Sequence, residues 1–372
     1  MSLNFFMPAR LLSGVDCVKN NSSLFGTLGE KCLIITGGSS AKKSGALNDA
    51  KLALEKEKIT YEIFDSIEPN PLISTCHAAG KKARETSADF IIGIGGGSVL
   101  DATKASAIYA TNGELEPMQI YNKSYKNRPL PIALIGTTAG TGSEVTGISV
   151  LTQDESGRKK SISGEDCYAK FSFLDPKYTY SVPYEITVST ALDALAHTVE
   201  GWFGHKMNDV ISLFAHKAMH MLWQNIKHMA EEKELTDKKR RDELYYGSIY
   251  AGLVINACGT CFPHPVGYAL TEIHGVPHGK ACAAFMPLFL ERAEEFEPEK
   301  LKALLGTVGE TRQSFSQTVS KLNDLKSIKI TADEAKRCEK NWQNEEPEKF
   351  KASPGGLTPK EAVQMLVSLN LE

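Results

Sequence analysis

The first half of the chain alternates short apolar runs with longer stretches in which apolar residues recur at helical spacing. The runs are 31-KCLIIT-36, 59-ITYEIF-64, 89-DFIIGIG-95 and 131-PIALIG-136, and helices are predicted between them at about 42–57, 71–87 and 98–110. A strand that is apolar at every position has both faces buried. Alternation of such strands with helices therefore predicts a mostly parallel sheet covered on both sides. Three further runs, 147-GISVLT-152, 160-KSIS-163 and 171-FSFLD-175, predict antiparallel β structure finishing this domain.

The pattern changes near 181-SVPYEIT-187, beyond which strand signals almost vanish. Helices are predicted at about 187–200, 208–228, 239–257, 261–272 and 280–293, with a last amphipathic helix in the tail 344–369. The expected architecture is an α/β domain over residues 1–184 followed by an all-α domain over 185–372. The run 231-EEKELTDKKRRDE-243 interleaves both charge signs and reads as a solvated helix end or loop.

Composition narrows the function classes. The chain has 372 residues, ample hydrophobic content for two cores (42%), and Lys+Arg 42 against Asp+Glu 45, a net charge of −3. That balance argues against a nucleic-acid or polybasic membrane partner. No apolar run is long enough to span a bilayer, and the start, MSLNFFMPARLLSGVD, lacks the features of a secretory signal. Eight scattered cysteines suggest reduced thiols and a cytoplasmic setting. The pair in 258-CGTC-261 has no second C-x-x-C and reads as core.

Two loops carry the chemistry of the first half. In 89-DFIIGIGGGSVLDATKA-105 a strand runs through Gly95, Gly96, Gly97 and Ser98 into a helix, offering backbone freedom and free N–H groups to a pyrophosphate. The loop 136-GTTAGTGSEVT-146, rich in hydroxyls that include Thr137 and Thr138, follows another strand. Two such loops at strand ends favour a dinucleotide.

The second half supplies metal donors. In 189-STALDALAHTVEGWF-203, Asp193 and His197 lie four apart on one helix face. His264 and His278 follow in 261-CFPHPVGYALTEIHGVPHGKA-281, so one oxygen and three nitrogens are available, a set suited to Fe²⁺ or Zn²⁺ with a position left for substrate. His274, in the same segment, reads as a cleft or loop residue.

The motifs FFMPARLLSG, GGGSVLDATKA, TTAGTGSEVT, DALAHTVEG and HPVGYALTEIHGVPHG, in this order, resemble the iron-dependent (group III) alcohol dehydrogenase family of the butanol and propanediol dehydrogenase kind, nearly end to end. The resemblance implies an N-terminal dinucleotide-binding domain, a helical metal domain, a cleft between them, and an assembly of two or more chains. It implies that Asp193, His197, His264 and His278 bind the metal and that Gly95, Gly96, Gly97 and Ser98 hold the pyrophosphate. Asp101 and Asn70 would lie on the nicotinamide side, and Thr137, Thr138 and Lys160 on the adenosine side.

Two positions depart from the family pattern. Many relatives carry a second histidine four residues after the third ligand, as a proton relay; Tyr268 stands there, leaving that role to His274, Tyr268 or water. After the first predicted strand, some NAD-preferring relatives carry an acid, where this chain has Gly37, Gly38, Ser39 and Ser40 with Lys42 and Lys43. NADP(H) is therefore favoured with NAD(H) possible, and aspartate at Gly37 is expected to turn preference toward NADH. The expected reaction is hydride transfer between the cofactor and a small alcohol or aldehyde, with the metal as Lewis acid. The alternatives are a zinc-dependent polyol dehydrogenase of the glycerol type, a lyase of the dehydroquinate synthase kind, and a catalytically silent nucleotide-binding protein.

Overall fold

The structure is a computed structural model that describes residues 4–325, 328–344 and 347–369. Contacts divide the chain into two compact units, Phe6–Pro183 and the part from Tyr184 onward, to which Phe5 also belongs.

The first unit is built on six strands: β1 (Arg10–Ser13), β2 (Lys31–Thr36), β3 (Thr60–Phe64), β4 (Phe90–Gly95), β5 (Ile132–Gly136) and β8 (Phe171–Leu174). They pair in the order β1-β8-β5-β4-β2-β3, and every pairing is parallel. Alternate residues feed two cores. Leu33, Ile35, Ile91 and Leu134 face one, with the helices Ile73–Glu85 and Gly97–Thr111. Cys32, Ile34, Ile92, Ala133 and Ile135 face the other, with the helix Ala46–Lys56. This double burial is why the central strands contain almost no polar side chains.

Three expectations need correction. The run 171–175 is not antiparallel: its four residues Phe171–Leu174 are buried on both faces and sit as β8 between β1 and β5. Its Ser172 breaks the apolar run, but that hydroxyl donates to the Glu144 carbonyl at 2.6 Å, which satisfies it inside the sheet. β1 was not anticipated as a strand. The helix expected over 42–57 is broken at Gly45, whose φ of 82° no helix tolerates, into Ser40–Lys43 and Ala46–Lys56. The remaining runs form the expected antiparallel hairpin, β6 (Ile148–Thr152) with β7 (Lys159–Ser163).

The second unit is helical. Its frame is the helices Tyr184–Phe203, Asp209–Glu232 and Lys238–Cys258, followed by Pro263–His274 and His278–Ala283. The first of these is buried along nearly all its length, which explains why it is apolar all round except for the few polar residues discussed below. Among the described residues no helix is long and apolar enough to cross a membrane.

Candidate functional site

In the first unit the two polar loops meet at the C-terminal ends of β4 and β5. Gly95, Gly96 and Gly97 all have ordinary negative φ, so backbone freedom is not why they are glycine. They are glycine because other atoms come too close. A Cβ at Gly95 would lie 2.6 Å from Val99, one at Gly96 3.1 Å from Thr138, and one at Gly97 2.4 Å from Thr141. The threonine loop thus packs onto the glycine loop, and the Thr137 N–H donates to the Gly95 carbonyl at 2.9 Å. Asn70, in the left-handed region at φ 56°, donates its N–H to Ser98 Oγ at 3.2 Å. Lys160 lies on β7 with its ammonium 5.4 Å from the Tyr121 ring.

Asp101 is bound up in a buried network. Its carboxylate accepts from Ser143 Oγ (2.6 Å) and from the Val150 N–H (2.8 Å), with Lys104 Nζ 3.6 Å away. Lys104, fully buried, also donates to Ser143 Oγ (2.7 Å) and to the carbonyls of Thr146 (3.0 Å) and Ile148 (2.6 Å). Burial pushes the Asp101 carboxyl up and the Lys104 ammonium down from their usual ranges. This pair ties the Gly97–Thr111 helix to the threonine loop.

At the end of β2, a Cβ on Gly37 would lie 2.3 Å from the Ile67 carbonyl oxygen. The expectation that aspartate could be installed there is therefore wrong on steric grounds. Gly38, at φ 42° with nothing within 4 Å of its would-be Cβ, is the open position. Ser39 and Ser40 follow at the start of a short helix. An acid absent from the loop itself arrives from β3's end: Asp65 pairs with Lys42 at 3.8 Å, both largely exposed.

The second unit brings Asp193, His197, His264 and His278 together. Asp193 Oδ1 faces three imidazole nitrogens: His197 Nε2 at 3.6 Å, His264 Nε2 at 3.8 Å and His278 Nε2 at 3.5 Å. These separations are too long for hydrogen bonds. They are close to the edge of about 3.4 Å expected between donors each ~2.1 Å from one ion. One oxygen and three nitrogens so disposed fit a divalent iron or zinc ion. Close helix approach makes this possible: a Cβ at Gly279 would strike the Ser189 carbonyl at 1.8 Å and Asp193 Cβ at 2.9 Å, so only glycine can follow His278. The site is open on one side. The side chain of His278 is 26% exposed, against 3–5% for the other three.

Sequence reasoning missed three neighbours. Glu200 Oε1 lies 2.7 Å from His264 Nδ1 and Oε2 accepts the Cys261 N–H at 2.7 Å, and burial pushes its carboxyl up to about 8. Asp193, His197 and Glu200 stand at i, i+4 and i+7 of one helix, a spacing that could have revealed it. Cys282 lies one turn after His278, with Sγ 3.6 Å from His278 Nδ1, and forms with Asp193, His264 and His278 a set of possible metal donors within 4.8 Å of one another, a set that leaves out His197. Lys349, from the Glu348–Lys351 turn, holds its ammonium 5.5 Å from the Tyr268 ring. Tyr268 itself packs 5.3 Å from His278, tilted by 32°. His274 is engaged elsewhere, its Nε2 3.8 Å from Glu334.

Comparison with known proteins agrees with both units. The family model "Iron-containing alcohol dehydrogenase" matches residues 8–176, and "Fe-containing alcohol dehydrogenase family, C-terminal" matches 187–335. The chain is 30% identical to the 1,3-propanediol dehydrogenase of Klebsiella pneumoniae, over 85% of this chain and 80% of that protein. It is 30% identical to the NADH-dependent butanol dehydrogenase A of Clostridium acetobutylicum, over 78% and 75%. A crystal structure of an iron-containing alcohol dehydrogenase from Thermotoga maritima superposes with a TM-score of 0.90 at 32% identity, covering 98% of this chain and 99% of that one.

Proposed function

Because the chain belongs to the iron-containing alcohol dehydrogenase family, we propose that it moves hydride between NADP(H) and a small alcohol or aldehyde, with Asp193, His197, His264 and His278 holding one Fe²⁺. Nicotinamide-dependent oxidoreduction of alcohols comes with the family. The ligand set, the ion and the phosphorylated cofactor are the proposal. The observation that carries it is Asp193 Oδ1 set 3.5–3.8 Å from three imidazole nitrogens.

When bound, the ion supplies Lewis acidity toward the substrate oxygen, where negative charge develops during hydride transfer. The chain's own groups prepare that position. As a carboxylate, Glu200 would accept the Nδ1–H of His264, fixing the tautomer and leaving Nε2 as the donor atom. Substrate oxygen approaches from the His278 side, the accessible one. Tyr268 borders that side, and we assign it the proton relay in place of His274, which is paired with Glu334.

In the first unit, the Gly95–Ser98 turn and the Thr137–Thr138 loop take the pyrophosphate and adenosine parts of the dinucleotide, with Asn70 and Lys160 at its margins. Asp101 acts there as a brace, through Ser143 and Lys104. The loop Gly38, Ser39 and Ser40 offers hydroxyls and backbone N–H groups to a 2′-phosphate, and Gly37 has no room for an opposing carboxylate. A zinc enzyme is the second reading, favoured by the Cys282 thiol beside the nitrogen donors.

The test is reconstitution. Metal-free protein is loaded anaerobically with Fe²⁺ or Zn²⁺, and oxidation of 1-butanol and 1,3-propanediol is followed with NADP⁺ and NAD⁺. Turnover restored by Fe²⁺, with NADP⁺ at least as effective as NAD⁺, is expected. Failure of either ion to support oxidation of any alcohol would overturn the assignment.

A further inference from the structure

A second pair of metal-binding side chains lies on a helix that none of the four donors occupies. The helix Asp209–Glu232 carries His216 and His220 four residues apart. Ala215, Ala218, Met219, Leu222 and Trp223 are buried and mark its inner face, while both histidines are exposed on the outer one. Side chains four apart on a helix stand over one another, with Cβ atoms about 6 Å apart. At that spacing two imidazoles can close on one ion.

One of the rings is braced. His216 lies edge-on to Trp202 of the helix Tyr184–Phe203, with centroids 4.8 Å apart and planes inclined by 74°. Trp202 is only 8% exposed, so the imidazole rests against a fixed wall and has less rotational freedom to lose on binding. The other ring points along the same row of the helix. His220 Nε2 lies 3.5 Å from Gln224 Nε2, one turn further on. The row 216, 220, 224 therefore offers imidazole nitrogens and an amide, and no carboxylate. Such a donor set ranks Fe²⁺ below Ni²⁺, Cu²⁺ and Zn²⁺.

We propose that His216 and His220 form a second divalent-metal site, on the outer face of this helix, that takes Ni²⁺, Cu²⁺ or Zn²⁺ in preference to Fe²⁺. The two imidazoles chelate the ion, and water completes its shell together with the Gln224 amide oxygen once that side chain turns. The site stands independently of the proposed alcohol chemistry. It gives the chain two places for metal of different character, a buried one built round a carboxylate and an exposed one built on imidazole.

The test adds nickel chloride to the full chain after anaerobic loading with Fe²⁺. Equilibrium dialysis counts nickel per chain. Tryptophan emission reports its position, because Ni²⁺ held by His216 lies beside Trp202 and quenches it. The wild type is expected to take up one nickel more than His220→Ala, with saturable quenching. His220→Ala keeps a single imidazole of the chelate, and its affinity at this site should fall about 100-fold or more. The exposed position leaves the core intact, and His220→Gln repeats the comparison with a side chain closer in size. His264→Ala, which lacks a donor of the buried site, should bind this nickel as the wild type does. Equal nickel uptake by the wild type and His220→Ala overturns the inference, as does quenching that never saturates, the mark of adventitious ions only. The nickel difference without any alcohol oxidation would remove the proposed function and leave this site standing. Turnover without the difference would do the reverse.

Discussion

The two units handle their polar groups in opposite ways. In the first, Asp101, Lys104, Ser143 and Thr146 are bound to one another in a closed buried network, and loop is held to loop by contacts that only glycine permits. In the second, four donors converge on one point, and the three imidazole nitrogens stand 3.5–3.8 Å from the shared carboxylate oxygen, longer than hydrogen bonds. A closed network contributes to stability and loses it when opened. A set of donors held apart contributes little to the fold and is arranged for something that enters it. Substitutions in these two sets should therefore separate: opening the Asp101–Lys104 network costs stability, and removing a metal donor costs activity.

The largest effect expected is His264→Ala. It should remove bound iron and lower alcohol oxidation by on the order of 10³-fold, since the ion supplies several kcal/mol at the transition state. Cofactor binding followed by NADPH fluorescence should persist, because the loops belong to the other unit. Loss of iron together with loss of cofactor binding would blur the division.

Lys104→Met should act the other way. It leaves Asp101 buried without its counter-ion, a change that costs about 3–5 kcal/mol. Urea unfolding should show the loss, and adding Asp101→Asn should recover part of it. An unaltered midpoint in Lys104→Met would mean that the network is not what holds the two loops.

A smaller effect is expected of Glu200→Gln, in which the carboxylate accepting from His264 Nδ1 is replaced by an amide. Iron affinity measured by chelator competition should weaken by about 10–100-fold, as for other groups that orient a ligating histidine. Undiminished affinity would reduce Glu200 to a packing residue.

The smallest is Gly38→Asp, with the carboxylate placed where the β2 loop has room and where aspartate tolerates the left-handed backbone. The ratio of kcat/KM for NADPH over NADH should fall by about 1–3 kcal/mol in free-energy terms. A wild type that already prefers NADH would point to Asp65, beside Lys42, as an acid that this reading undervalues.

The same contrast explains what could be read from the sequence. The parallel strands were legible because burial on both faces leaves unbroken apolar runs, and Asp193 with His197 was legible because helical spacing is local. β8 was misjudged because Ser172 interrupts its run, and the carbonyl that satisfies that serine belongs to Glu144, 28 residues away. The reason for Gly95–Gly97 was misjudged similarly: their φ values are ordinary, and the atoms that demand glycine at Gly96 and Gly97 come from Thr138 and Thr141 on another loop. Lys349 was invisible for the same cause. Eighty residues of chain separate it from Tyr268, and only the fold sets it there.

The central claim is that the four donors hold one ion, and X-ray absorption at the iron edge of anaerobically loaded protein tests it most directly. The account predicts one iron per chain with a shell of nitrogen and oxygen at about 2.0–2.2 Å, lost in His264→Ala. A protein that takes up no iron would contradict it, as would iron whose shell is unchanged by His264→Ala or is dominated by sulfur at about 2.3 Å.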